Sequence, residues 1–195
     1  MILIEKLKCN RGEKPSEFER KVRNISELLG INPNWLMMMM YLESGLNAQA
    51  VNKQPGDSSD PYTRAAKRAT GLTQFMPSTA KWLGTTTTQL YKMSAIDQLD
   101  YVYKYFKGYT GKIKSYYDLY MINFFPLAIG KPDNWVLQTA GTSASIIAKQ
   151  NPNLDINKDG KITIGEAKQR MKAGIPETFR EHVLAEVEKK NGKSE

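Results

Sequence analysis

Apolar residues recur at helical spacing along most of this chain, and one segment is apolar on every side. The first amphipathic segment predicts a helix that starts with a capping box at Ser16 and Glu19 and ends before Gly30. Similar patterns predict helices at 77–83, 94–108, 115–125, 142–150, 164–173 and 176–190, the last with a stop at Asn191-Gly192. The first fourteen residues read as a strand or an arm, and no run of alternating strands follows. The predicted fold class is therefore mainly α.

The segment that is apolar all round runs from Trp35 to Leu42. Asn32 and Pro33 are typical of a helix start, and Ser44-Gly45 can end the helix. A helix without a polar face is predicted to be buried. Glu43 then follows directly, and an acid in such surroundings either finds partners or stays protonated with a raised pKa. A capping or paired glutamate and a functional acid both remain open at this point.

Composition and charge narrow the function classes. The chain has 195 residues, 41% hydrophobic and 25% charged, which is typical of one globular domain with a real core. A net charge of +8 favours anionic partners such as nucleic acid, acidic lipid or a bacterial cell wall. The one cysteine, Cys9, excludes an internal disulfide, and the one histidine, His182, leaves a histidine triad or a multi-histidine zinc site without partner motifs.

No apolar run approaches the roughly 20 residues of a membrane span, and the apolar run of the N-terminus is too short for a secretory signal. The expectation is a protein made in the cytoplasm that acts after release or delivery. Most of the tyrosines lie between 101 and 120, interleaved with lysines. They form either a stacking wall for sugars or bases, or core aromatics with hydrated hydroxyls.

A second chemical motif lies near the C-terminus, where the sequence matches a calcium-binding loop of the EF-hand type. Oxygen donors stand at the ligand positions of a twelve-residue loop, and Gly160 stands where the chain must turn sharply. The predicted ligands are Asp155, Asn157, Asp159, Lys161 through its backbone carbonyl, Thr163 and Glu166. Because Asn151-Pro152-Asn153 interrupts the incoming helix, we expect a lone structural Ca²⁺ site that fixes the C-terminal helices.

Two motifs in order resemble one enzyme family. Glu43-Ser44-Gly45 is followed by the segment from Gly71 to Pro77, GLTQFMP. Together they resemble the soluble lytic transglycosylases, which share a lysozyme-like fold with the goose-type lysozymes. The resemblance covers roughly residues 32–126 and implies cleavage of the β-1,4 bond between N-acetylmuramic acid and N-acetylglucosamine in peptidoglycan.

The resemblance implies a catalytic role for Glu43 as general acid and base. An apolar pocket can raise the pKa of such a glutamate to about 6, and a helix C-terminus also disfavours its charge. The resemblance further implies that substrate is bound by Ser44, Gly71, Leu72, Gln74, Phe75 and Asn123.

The chain departs from the family pattern in its third motif. Where the family has an AYNAG-like segment, this chain reads MINFFP, so Asn123 is kept while Ile122 replaces the tyrosine. Tyr101, Tyr105 and Tyr120 are candidates to replace it. Asp57 and Asp60, in the loop between the two main motifs, are candidates for a second carboxylate that would direct water in a simple hydrolase.

Three functions remain open at the sequence level. The first is a peptidoglycan-cleaving enzyme, either a transglycosylase or a lysozyme-type hydrolase, suited to a phage-type lysin, a virion component or an effector delivered by a secretion machine. The second is a lysozyme-like module that binds peptidoglycan without cleaving it. The third, a nucleic-acid binder, rests on charge and tyrosines only and is not expected. The predicted organisation is a lysozyme-like catalytic domain at 1–150, followed by the EF-hand-like loop and C-terminal helices at 151–195.

Overall fold

The computed structural model describes residues 1–191, with side chains as far as Leu184. Residues 1–191 contain no β-strand, only isolated bridges between single residues. Short 3-10 turns lie at Ile4–Lys6, Lys107–Tyr109 and Pro126–Ala128. The α-helices are α1 (Pro15–Leu29), α2 (Pro33–Ser44), α3 (Pro61–Ala65), α4 (Pro77–Trp82), α5 (Thr87–Lys92), α6 (Ala95–Phe106), α7 (Tyr116–Phe124), α8 (Ala144–Gln150), α9 (Ile164–Gly174) and α10 (Glu177–Asn191).

The mainly α prediction is confirmed, and the long helices begin and end close to their predicted positions. The predicted capping box at Ser16 is wrong, because Pro15 takes the first helical position and Lys14 precedes it as the N-cap without a side-chain cap bond. The short helix α3 was not predicted. Helix α5 starts within Thr85–Thr88, a segment that the sequence leaves open as a loop or a helix start. The predicted stop at Gly192 lies outside the described residues.

Two compact units make up the chain, Met1–Ile113 and a second one that begins at Lys114. The boundary predicted from the sequence lies later, after Gln150. The boundary falls just after a turn that includes Gly111, which has a positive φ of 79°.

The core of the first unit is built around α2. Side chains from Trp35 to Met40 are at most 2% exposed, while Tyr41 and Leu42 are half-buried. Helix α1 packs against α2 and α6. A helix can be this apolar because it has neighbours on every side, and burial of each large side chain contributes about 1.5–3 kcal/mol.

The N-terminal arm is folded onto the first unit. Leu3 and Leu7 are buried, and the backbone N–H of Lys8 donates to the carbonyl oxygen of Leu46 at 3.1 Å. At the end of the arm, the carboxylate of Glu13 accepts a hydrogen bond of 2.7 Å from the N–H of Ala95. Ala95 is the first residue of α6, and the N-terminus of a helix presents free N–H groups and favours an anion.

In the second unit, α7 packs against α9. The segment before α8 contacts the start of α9 in two ways. Val136 forms a bridge with Thr163, the N-cap of α9, and Asp133 forms an ion pair of 2.6 Å with Lys168 within α9. None of the helices in the described part of the chain is long and apolar enough to cross a membrane.

Candidate active site

Glu43 is the last residue but one of α2 and is half-buried. The helix starts where Asn32 accepts a 2.9 Å hydrogen bond from the N–H of Asn34, and it ends at Gly45, which has a φ of 63°. Both ends are therefore fixed by local chemistry. The carboxyl group of Glu43 therefore lies at the C-terminal end of a buried helix, which is the position expected from the sequence.

The backbone leaves the helical conformation at Gly45, two residues after Glu43. Gly45 and Leu46 both take left-handed backbone conformations, and the N–H of Gly45 donates to the carbonyl oxygen of Tyr41 at 2.8 Å. The segment that follows is held by amides: Gln49 donates to the carbonyl oxygen of Met93 at 2.8 Å, and Asn10 of the N-terminal arm donates to Asn47 at 2.8 Å. The backbone beside the candidate acid is therefore fixed from two directions.

The second motif forms a tight turn. Thr70 and Phe75 exchange two backbone hydrogen bonds of 3.1 Å, and the four residues between them make the reversal. Thr70 also forms an antiparallel bridge with Val51, and the N–H of Gly71 donates to the carbonyl oxygen of Ala50 at 2.9 Å. The turn is thus fastened to the chain that leaves α2.

One side chain joins the two motifs directly. The hydroxyl oxygen of Ser44 lies 2.9 Å from the carbonyl oxygen of Leu72 and 2.9 Å from that of Met40. A hydroxyl group has a single proton, so the two carbonyl groups share one donor. The side chain of Ser44 therefore links the C-terminal end of α2, next to Glu43, to the turn.

Gln74 adopts a left-handed conformation with a φ of 52°, which is uncommon for a residue other than glycine. Its side-chain nitrogen donates to the carbonyl oxygens of Gly71 at 3.0 Å and Ala50 at 3.2 Å. Among the described residues, nothing donates to its side-chain oxygen. The amide is held by its nitrogen and keeps an acceptor for a ligand.

Gln98 is a support for the turn that sequence reasoning missed. It is 3% exposed, accepts a 2.9 Å bond from the N–H of Leu72, and donates bonds of 2.7 Å to the carbonyl oxygens of Ala48 and Leu90. A β-carbon at Gly71 would lie 2.5 Å from its side-chain oxygen. The available signal was a glutamine on the buried face of α6.

The side chains of Leu72 and Phe75 are buried in the first unit. Phe75 lies in a cluster with Ala80, Leu83 and Leu90, and its ring centre is 5.3 Å from that of Tyr105. The substrate contacts predicted for these two side chains, and for the buried Gly71, stay predictions. In the structure, the side chains of Leu72 and Phe75 pack into the core and so support the shape of the turn.

Tyr105, one of the three candidate tyrosines, contacts the turn through the ring of Phe75. Burial, followed by the charge of Tyr109, raises the pKa of Tyr105 to about 12, so its phenol stays protonated at neutral pH. Tyr101 packs against the same cluster, whereas Tyr120 and Asn123 lie on α7 in the second unit. Asn123 is half-buried there, and its predicted contact with substrate stays a prediction.

Both aspartates of the intervening loop have structural partners. Asp57 pairs with Arg68 through both carboxylate oxygens, at 2.7 Å for the shortest bond, and this pairing lowers the pKa of Asp57. Asp60 caps α3 by accepting a hydrogen bond from the N–H of Thr63. Bonds from the hydroxyl and the N–H of Thr63 lower the pKa of Asp60. These bonds hold the loop together.

The calcium-type loop has a defined shape in the second unit. The oxygens of Asp155 accept bonds from the N–H groups of Asp159 and Gly160, at 3.1 and 3.0 Å. At the other end, Glu166 accepts from Ile156 at 3.1 Å and from Thr163 at 2.9 Å. Burial raises the pKa of Glu166, but these bonds outweigh it and the net pKa is lowered. Within the described residues, no three His, Cys, Asp or Glu side chains converge as a ready metal site.

The first unit is helical, is built on a buried helix whose last residue but one is Glu43, and holds a fixed turn that bears Gln74, which is consistent with a lysozyme-like domain. Residues 22–117 match the family model described as the transglycosylase SLT domain, so the chain is similar to that family over this segment. Its members are lytic transglycosylases that act on peptidoglycan. The resemblance seen in the sequence is thereby confirmed, and both main motifs lie inside the matched residues. Comparison with curated proteins and with solved structures gave no match.

Proposed function

We propose that this chain cleaves the β-1,4 bond between N-acetylmuramic acid and N-acetylglucosamine, with Glu43 as the general acid and base. One observation carries the proposal: the helix that presents Glu43 is bonded through Ser44 to the turn that bears Gln74. Catalytic groups are effective when rigid elements hold them in fixed geometry, and a buried helix with two fixed ends is such an element.

The proposed reaction needs one carboxyl group. Protonated Glu43 donates its proton to the glycosidic oxygen, and the bond to C1 of the muramic acid breaks. The 6-hydroxyl oxygen of the same sugar then bonds to C1, and its proton passes to the carboxylate of Glu43. The products are a 1,6-anhydromuramic end and a free 4-hydroxyl on the leaving sugar, and Glu43 is protonated again.

Gln74 supports binding of the acetamido sugars. Its side-chain nitrogen is occupied by two backbone carbonyl groups, which fixes the direction of the side-chain oxygen. That oxygen can accept an N–H from an acetamido group or a hydroxyl proton. A fixed acceptor suits recognition better than a mobile one because less side-chain entropy is lost on binding.

The partners of Asp57 and Asp60 support the single-acid reaction over hydrolysis by a second carboxylate. Each holds its own loop through several bonds, and redirecting either one toward a water molecule would break them. Mass spectrometry of digested peptidoglycan distinguishes the two reactions. We expect anhydromuropeptides, whereas reducing muramic ends would show a hydrolase.

The replacement Glu43→Gln tests the assignment of the acid. It keeps the shape of the side chain and removes its ability to donate a proton at neutral pH, so we expect clearance of purified cell walls to fall by at least about 100-fold. Glu27→Gln, an exposed glutamate on α1, is the matched control. If Glu43→Gln still clears walls, Glu43 is not the acid; if the unaltered chain binds walls and clears nothing, the non-catalytic module is correct.

We also propose that Ca²⁺ binds the loop from Asp155 to Glu166. The bonds from Ile156 and Asn157 to Glu166 bring the last acid of the loop next to its first residues, which supports this assignment. Asp155, Asn157, Asp159 and Glu166 would supply side-chain oxygens, and Lys161 its carbonyl group. The ion would tie the start of the loop to α9 and so stabilise the second unit.

A further inference from the structure

Trp82 is the most exposed large apolar side chain of the described residues, at 70%. It is the last residue of α4, and its ring centre lies 6.3 Å from that of Tyr105 in a perpendicular arrangement. An indole ring offers a large, rigid apolar face with a polar N–H, and tryptophan is enriched at binding interfaces for this reason. The two other tryptophans are covered to a greater extent: Trp35 is 2% exposed and Trp135 is half-buried.

The ring of Trp82 is connected to the candidate active site through successive contacts. Trp82 contacts Tyr105, Tyr105 contacts Phe75, and Phe75 closes the turn whose Leu72 carbonyl group receives Ser44. All of these residues belong to the first unit. Phe75 is buried and Tyr105 is half-buried, so the exposed ring of Trp82 is the outer end of the aromatic packing that supports the turn.

The position of Trp82 is fixed by the backbone around it. Helix α4 runs from Pro77 to Trp82, and the carbonyl oxygen of the next residue, Leu83, accepts a 2.5 Å bond from the amino group of Lys104. Tyr105 limits the rotation of the ring on one side. A ring that is already held in place loses little conformational entropy when a ligand stacks on it.

Charge around the ring suits the same ligand. Lys81 and Lys104 are both exposed, one next to Trp82 in sequence and the other next to Tyr105. Peptidoglycan carries carboxylates on the stem peptides attached to its muramic residues, while the sugar rings offer apolar C–H faces. The exposed face of Trp82 suits the sugar rings, and the amino group of Lys104, bonded to the carbonyl oxygen of the next residue, Leu83, supplies a positive charge at the end of the same helix.

We propose that Trp82 is a glycan-stacking subsite that binds a sugar of the peptidoglycan strand away from the cleaved bond. The proposal rests on the proposed function for the identity of the strand, but it concerns binding rather than turnover. The apolar face of an N-acetylhexosamine ring would lie on the exposed face of the indole. The effect is to hold the strand in register while Glu43 acts.

The test measures binding without turnover, in the Glu43→Gln background. Pelleting with purified peptidoglycan and titration with the β-1,4-linked hexamer of N-acetylglucosamine compare Trp82→Ala, Trp82→Phe and the background chain. Loss of one stacked aromatic ring is expected to weaken binding about 10-fold, whereas phenylalanine keeps most of the affinity. Leu28→Ala, at a residue of α1 that is 59% exposed, is the matched control and is expected to bind normally.

Fluorescence gives a second readout that follows Trp82 itself. The hexamer is expected to protect tryptophan fluorescence from acrylamide quenching in the Glu43→Gln chain, and the protection should disappear in Trp82→Phe. Equal affinity of Trp82→Ala and its background, or no binding by the background at all, would overturn the subsite. If walls bind through Trp82 but the unaltered chain clears none, the proposed function fails while the subsite stands.

Discussion

The hydroxyl oxygen of Ser44 lies 2.9 Å from the carbonyl oxygen of Leu72. These two residues are far apart in sequence, and the contact joins the end of the buried helix to the turn of the second motif. Both motifs are needed to recognise the family, and this contact gives a physical reason why they occur together.

Ser44→Ala is expected to reduce activity more than stability. The loss of one hydrogen bond should lower the free energy of unfolding by about 1 kcal/mol, while the turn becomes free to shift relative to Glu43. Urea unfolding and wall clearance measure the two effects. Ser26→Ala is the control: Ser26 is 1% exposed and its hydroxyl has no hydrogen-bond partner among the described residues, so this change should be close to neutral. Equal losses of activity in both variants would contradict this role of Ser44.

Gln98→Leu is expected to destabilise the first unit strongly. It would leave the N–H of Leu72 and the carbonyl groups of Ala48 and Leu90 without a partner, at about 1–3 kcal/mol for each buried group. Gln98→Glu keeps the acceptor for Leu72 but sets an acid against two carbonyl oxygens, so it should also unfold more easily. Thermal melting and urea unfolding measure both. If the melting temperature of Gln98→Leu is unchanged, the hydrogen bonds of Gln98 contribute little to the stability of the first unit.

Gly71→Ala is expected to be more harmful than Gly45→Ala. Both glycines have a positive φ, at 90° and 63°, so both changes introduce about 1–2 kcal/mol of backbone strain. At Gly45 the added β-carbon meets nothing within 4 Å, whereas at Gly71 it would lie 2.5 Å from the side-chain oxygen of Gln98. The difference between the two variants in urea unfolding therefore isolates the overlap. Equal losses of stability would mean that Gln98 moves aside at no cost.

The elements that could be predicted from the sequence are those set by local chemistry. The buried helix follows from an unbroken apolar run with Asn32 before it and Gly45 after it, and both ends lie as expected. The start of α6 at Ser94 was equally local, since its hydroxyl accepts the N–H of Asp97 at 3.0 Å. The error at Ser16 has a local cause too: the fixed φ of Pro15 starts α1 one residue earlier than the serine suggests.

What could not be predicted depends on partners distant in sequence. Gln98 supports the turn only because the fold brings Ala48, Leu72 and Leu90 around it. In the sequence, Glu13 is one of several charged residues of the N-terminal arm. In the structure it caps α6, which is distant from it in sequence. Helices α3 and α5 have five and six residues, too few to show a helical period.

Glu13→Gln is expected to destabilise the first unit at neutral pH. Burial raises the pKa of Glu13, but bonds from the N–H groups of Ala95 and Arg11, with the charge of Arg11, outweigh it and leave the pKa lowered. A lowered pKa gives stability that is complete above the unfolded value of about 4.3 and is lost as the pH falls through the folded value. A glutamine has one oxygen for the two N–H donors, so one meets an amide group instead.

Urea unfolding of Glu13→Gln and the unaltered chain at pH 7 and at pH 3 checks this expectation. The difference between them should be about 1–3 kcal/mol at pH 7 and should shrink at pH 3, where the unaltered carboxylate takes up a proton. Glu5→Gln, at an exposed residue of the same arm, is the control and should show little difference at either pH. A difference that does not change with pH would mean that the charge of Glu13 is unimportant.

Removal of Ca²⁺ is expected to lower the melting temperature of the second unit. An ion that binds only the folded loop stabilises it by RT ln(1 + [L]/Kd), so excess Ca²⁺ should raise the transition and EDTA should reverse the effect. Asp155→Ala and Glu166→Gln should abolish the response. Asp133→Asn, which removes an acid paired with Lys168 outside the loop, should lower stability slightly and keep the response. Because both oxygens of Glu166 also hold backbone N–H groups, Glu166→Gln should be destabilised even in EDTA. An equal melting temperature with Ca²⁺ and with EDTA in the unaltered chain would show that the loop folds through its own hydrogen bonds and needs no metal.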